Sequence, residues 1–180
     1  VTRKSGTISE VQKWRPFTVN EVRYDLSHLD AHSVEYVDDR VPGPQRIYNF
    51  IVTYSCHCFA KTIDGDPGPE FVYSAPKEER HFDFERYELS KGLRNIIESL
   101  PSHHVVHAGH ENYAVVEMRD DDGFTQDYFI VFSAFREMKK LRLHISSAYL
   151  KERVGRYKKV SFLTIAANLL GGRRLPLPQK

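Results

Sequence analysis

The order of apolar and polar positions divides the chain into strands, one long amphipathic helix and a short closing helix. Phe17, Val19, Val22, Tyr24 and Leu26 alternate closely enough for a strand that breaks near Asn20. Val41-Pro42-Gly43-Pro44 interrupts the pattern. The run from Ile47 through Ser55-Cys56-His57-Cys58 to Phe59 is rich in β-branched and aromatic residues and almost free of breakers. It predicts a central strand covered on both faces. Asp64-Gly65-Asp66-Pro67-Gly68-Pro69 has turn chemistry, and Phe71-Val72-Tyr73 follows as a short strand.

Leu89, Leu93, Ile96, Ile97 and Leu100 form one apolar stripe at helical spacing. The spacing predicts a single helix over 84–100, stopped by Pro101. Tyr113–Met118, Tyr128–Phe135 and Leu141–Tyr149 then read as an antiparallel meander, with clean alternation at Leu141, Leu143 and Ile145. Val160–Leu170 predicts a closing helix ended by Gly171-Gly172. The whole reads as α+β: a loose arm over 1–16, then a single domain over 17–180 built on a central antiparallel sheet.

Composition supports strands, because ten Tyr and eleven Phe stand against two Met and one Trp. No apolar run is long enough to span a bilayer, and the first residues lack the apolar core of a signal peptide. Cys56 and Cys58 are one residue apart and poorly placed to bridge each other. Two reduced thiols suit a reducing compartment, so the expectation is a cytoplasmic protein with no membrane partner.

Charge changes the picture more. The net +2 hides a segment over 139–180 with eleven basic residues and only Glu152 acidic, a local +10 against −8 for the remainder. A basic end on an acidic body fits a polyanion partner, or pairing between the two halves of the chain.

Candidate chemistry starts at Ser55-Cys56-His57-Cys58-Phe59. An imidazole at a strand end suits acid–base work near neutral pH, and it equally suits a core histidine with one satisfied hydrogen bond. The one-residue cysteine spacing is a poor match to a zinc site, and no second cysteine pair exists. His103, His104, His107 and His110 cluster without an acidic partner between them, and His28 and His32 carry the same ambiguity. Hence neither a metal nor a cofactor is expected.

Arg86 and Tyr87 open the helix, where they face a phosphate or simply tether the helix to the sheet. Ser146-Ser147-Ala148-Tyr149 leads into Lys151, Arg153, Arg156, Lys158 and Lys159, an arrangement suited to phosphate contact with Tyr149 available for stacking or proton transfer. Gly-x-Gly-x-x-Gly, Walker, His-Glu-x-x-His and Gly-x-Ser-x-Gly motifs are all missing from the sequence. P-loop hydrolysis, dinucleotide redox chemistry and serine hydrolysis lose support accordingly.

At Ser55–Phe59, Arg86–Ser90 and Ser147–Tyr149 the chain resembles a family of bacterial and phage-borne proteins that carry stress or stationary-phase labels. At the level of fold, Tyr128–Tyr149 with the basic residues after it is similar to the sheet of the RelE/BrnT ribonuclease toxins, which cleave RNA without a metal. That likeness implies a toxin-like, metal-independent ribonuclease or RNA-binding domain. In it His57 or Tyr149 manages protons, and Arg86, Lys151, Arg153, Arg156, Lys158 and Lys159 hold the nucleic acid. The competing expectation is a non-enzymatic phage or bacterial interaction module that docks its basic face on nucleic acid or an acidic protein.

Overall fold

The computed structural model describes residues 13–40, 42–66, 68–103, 105–109, 112–121, 124–152 and 158–176. The first two strands, β1 (Phe17–Val19) and β2 (Val22–Tyr24), form a hairpin. Its two turn residues, Asn20 and Glu21, both sit at positive φ, the twist a two-residue hairpin needs. The break read in the sequence is this turn.

Among the described residues, seven strands make the main sheet. β3 (His32–Asp38) and β4 (Arg46–Tyr54) form one hairpin, and β8 (Val105–Gly109) through β9 (Asn112–Asp121), β10 (Phe124–Glu137) and β11 (Lys140–Glu152) form a meander. The short β12 (Lys159–Val160) closes one edge, giving the order β12-β8-β9-β10-β11-β4-β3. A second small sheet joins β5 (Ala60–Lys61), β7 (Glu79–Phe82) and β6 (Val72–Ser74).

The expectation of a single central antiparallel sheet is corrected here. Among the described residues the structure is mostly β, and its large sheet is a curled half-barrel carrying three small helices. That sheet is mixed, because β11 runs parallel to β4, with Leu141 opposite Phe50 and Ile145 opposite Tyr54. Alternation within a strand tells which face is buried but not which distant strand lies beside it.

Two further segments differ from the reading. The Ile47–Phe59 strand ends at Tyr54, and Cys56–Cys58 turn into a 3-10 helix. Only one face of β4 is fully covered: Tyr48, Phe50, Val52 and Tyr54 are buried, whereas Ile47 and Asn49 are exposed. The helix over 84–100 is two helices, α1 (Phe84–Ser90) and α2 (Leu93–Glu98). Ser90 sends its hydroxyl back to the Tyr87 carbonyl, and Gly92 weakens the helix further, so the chain kinks between them.

The hollow of the half-barrel is filled by the third helix, α3 (Phe162–Leu170). Its Phe162 ring meets Tyr36, Phe50 and Phe132 at centroid distances of 4.8, 5.6 and 6.2 Å. An aromatic cluster secures the small sheet: Phe17 stacks on Phe82 at 4.3 Å, and Trp14 meets Phe59 edge-on at 5.1 Å. Trp14 is buried and its backbone N–H donates to Asp30, although the sequence places it in the arm.

Phe162 is therefore the contact through which α3 closes the core. Phe162→Ala is expected to cost about 3–5 kcal/mol, the range for deleting a buried aromatic ring. Urea unfolding checks this, and a loss below about 1 kcal/mol would show that α3 does not clamp the sheet.

Candidate functional site

The parallel pairing of β4 with β11 ends at Tyr54 and Ile145, and the site begins there. The next residue, Ser55, donates its N–H to the Ile145 carbonyl at 2.9 Å. Its side chain accepts from the His57 N–H at 3.3 Å, a cap that turns the chain out of the strand. Cys58 is fully buried and its thiol also points at the Ile145 carbonyl, at 3.8 Å. The turn is thereby fixed from beneath, and Cys56 and His57 project from it.

Arg86 fixes the turn from the side. Its guanidinium donates to the carbonyls of His57 and Ala60 at 3.1 and 3.0 Å and lies 5.5 Å from the Tyr149 ring centre. Asp83 caps α1 by accepting the Arg86 N–H at 3.0 Å, which sets where that side chain starts. Segments 55–59, 86–90 and 147–149 thus meet in space through one guanidinium.

The residue missing from the sequence reading is Glu78, the last position of the turn between β6 and β7. Its Oε1 accepts from His57 Nε2 at 2.9 Å and from the Cys56 thiol at 3.4 Å. Arg80 grips the other oxygen, Oε2, with Nε at 2.7 Å and Nη2 at 2.5 Å. Partial burial opposes the charge on Glu78, but the hydrogen bonds from Arg80, His57 and Cys56 outweigh it and hold the carboxyl at about 2. In sequence Glu78 sits among four consecutive charged residues, Lys77 to Arg80, and reads as a solvated turn.

Those partners determine protonation. A carboxylate only accepts, so in neutral His57 the proton lies on Nε2 and Nδ1 carries the free lone pair. Among the described residues no hydrogen bond reaches Nδ1, and the His57 side chain is 33% exposed. Burial, helped by the hydrogen bond and charge of Glu78, pushes the Cys56 thiol up to about 11. At neutral pH it is a protonated donor, which argues against a cysteine nucleophile.

His144 lies behind this group on β11, opposite Thr53, with Nδ1 2.9 Å from the Thr53 hydroxyl. Burial, then the nearby His57, push it down to about 4. Tyr149 shares its face only because β11 carries an extra residue: Val131 pairs with Ser147 but Phe132 pairs with Ile145, leaving Ser146 as a bulge. Five positions apart, His144 and Tyr149 would otherwise point to opposite faces.

The other sequence candidates are more scattered. Lys151 lies over the Phe129 ring at 4.9 Å, one step beyond Tyr149 on the same face. Arg153 and Arg156 lie outside the described residues, as do His104 and His110. Lys158 and Lys159 are exposed at the β12 edge. Lys159 faces Val106, Ala114, Val131 and Ser147 in succession, so four strand spacings, about 19 Å along the sheet, separate it from β11. His28 and His103 bond Ser90 and Ser99, and His107 caps the Gly109 N–H.

The fold and site together define a mixed-sheet half-barrel protein with a partly exposed His–Glu pair at the end of its parallel seam. The chain belongs to the YjaZ family, whose profile matches residues 16–170. Protein YjaZ of Escherichia coli (strain K12) is 46% identical over 177 residues, covering 95% of this chain and 98% of that protein. No solved structure matches. These comparisons give the family; the RelE/BrnT likeness is not among what they show. Among the described residues no helix is long and apolar enough to cross a membrane.

His144 offers a direct check on the geometry. Its folded value lies below the ordinary 6.5, so the unfolded chain binds the proton more readily and stability falls as pH drops from about 6.5 to about 4. NMR titration should place its midpoint near 4, and His144→Gln should flatten the decline in denaturation midpoints over that window. A midpoint above 6 would mean the ring is not enclosed as described.

Proposed function

We propose that this protein acts on RNA in the cytoplasm, with His57 as general base and Glu78 as the acceptor that orients it. The observation that carries this reading is the 2.9 Å contact between His57 Nε2 and the ionised Glu78, which in the neutral ring puts the proton on Nε2 and the lone pair on Nδ1. In the proposed step Nδ1 takes the proton of a ribose 2′-hydroxyl, whose oxygen attacks the adjacent phosphorus. The 5′ oxygen leaves and takes a proton from water. Base catalysis of this kind needs no metal.

Placement of the charges supports a polyanion. Tyr149 lies beside Arg86, which braces the His57 turn, and Lys151 follows it on the same face of β11 over Phe129, both within the basic 139–180 segment. Phosphates held there would sit beside Arg86, whose own donors serve mainly to brace the His57 turn. That bracing favours a second reading, binding without turnover, in which the basic end docks on RNA or an acidic protein.

The test is incubation with RNA and DNA panels, with and without EDTA, scored for cleavage and for gel retardation. RNA should be cut in both conditions, His57→Gln should lower the rate by about 10²–10⁴, and Tyr149→Phe should separate the role of the hydroxyl from that of the ring. Retardation that weakens with salt but brings no cleavage would select the binding reading. Intact and unretarded RNA would end both as RNA readings.

A further inference from the structure

Glu78 Oε1 is the point on which two potential metal ligands already converge. One ligand atom each from Cys56, His57 and Glu78 lies within 4.8 Å of the other two. Two of the three separations are 2.9 and 3.4 Å. A zinc tetrahedron with bonds of about 2.0–2.3 Å has edges of about 3.3–3.6 Å, so only small side-chain movements separate this cluster from a ligand set.

We propose that Cys56 Sγ, His57 Nε2 and Glu78 Oε1 form a three-ligand site for a thiophilic divalent cation, zinc being the best match, with the fourth position open to water. The donor set decides the class of ion. One sulfur, one imidazole nitrogen and one carboxylate oxygen suit zinc and neighbouring transition metals, while magnesium and calcium take oxygen ligands.

The supporting groups are already in place. Arg80 occupies Oε2 with two donors and leaves Oε1 toward the cluster. Ser55, Cys58 and Arg86 hold the Cys56–His57 turn from three sides. Orientation of ligands by such outer partners is what metal centres require. Protons balance simply: the metal replaces the thiol proton of Cys56, which leaves to solvent, and the His57 proton moves from Nε2 to Nδ1. Glu78 contributes as the carboxylate it already is. Three protein ligands with an open fourth position is the form of a reactive site and not of a closed structural one.

This inference does not rest on the RNA reading. The two describe different states of one cluster, since a metal on Nε2 puts the imidazole proton on Nδ1 and removes the base there. Failure to cut RNA would leave the metal titration unchanged.

The experiment is titration of chelator-stripped full-length chain with cobalt(II), followed in the near ultraviolet for the thiolate-to-cobalt charge-transfer band. The band is specific to sulfur, so adventitious binding to surface histidines does not produce it. It should saturate at one equivalent and be displaced by zinc. Cys56→Ser should abolish it, and His57→Gln and Glu78→Gln should each weaken binding roughly tenfold or more, the least that loss of a supporting group around a metal costs. Glu78 lies at the rim, so its variant keeps the test open should Cys56→Ser fail to fold. Absence of the band in the native chain overturns the proposal. So does a band that survives in Cys56→Ser, since it would come from Cys58.

Discussion

Everything in this molecule depends on five residue pairs, Phe50 to Tyr54 running parallel to Leu141 to Ile145. The β3–β4 hairpin comes early in the chain and the β8–β11 meander comes late. Among the described residues no other strand pairing joins these two halves in the large sheet. The parallel seam turns two antiparallel units into one curled sheet, and the curl makes the hollow that α3 fills. Its last carbonyl, that of Ile145, receives both the Ser55 N–H and the Cys58 thiol. The same interaction that closes the fold therefore sets the angle at which Cys56 and His57 leave it.

The limits of the sequence reading follow from that seam. Leu141, Leu143 and Ile145 announce a strand with one buried face, and the structure has it. Alternation carries no information about a neighbour some ninety residues earlier, so the parallel pairing was not legible. Nor was the bulge at Ser146, because a single extra residue leaves both halves of β11 looking regular. At Cys56–Cys58 the apolar run continues past the true end of β4, and the stop comes from a serine cap that resembles ordinary strand sequence. The helix stripe from Leu89 to Leu100 stayed on one side even though the backbone broke, since Leu93, Ile97 and Leu100 are all buried. Periodicity survived a kink caused by Ser90 and Gly92.

At the site, residues with unusual chemistry in an apolar context were visible, and those in a polar context were not. His57 stands out between two cysteines, and Tyr149 stands at the entrance to a basic segment. Glu78 is hidden in a charged turn, and Arg80 beside it looks like one more solvated cation. His144 looks like the polar position of an alternating strand, yet burial lowers it to about 4.

The two oxygens of Glu78 show how one carboxylate serves two purposes. Oε2 is committed to Arg80, and that charge-assisted pair keeps the group ionised against partial burial. Oε1 faces two groups that each carry a removable proton, the Cys56 thiol and the His57 ring. With both protons present, Oε1 is an acceptor that fixes the tautomer of the neutral ring and leaves the lone pair on Nδ1. With the thiol proton gone and the ring proton moved, Sγ, Nε2 and Oε1 surround a space that only a cation can occupy without leaving like charges in contact. Arg80 favours neither state, since it bonds the oxygen that both leave alone. What selects between them is the proton on Cys56, and burial holds that proton tightly. The sulfur donor among the three proposed ligands favours thiophilic ions over magnesium and calcium, which take oxygen ligands.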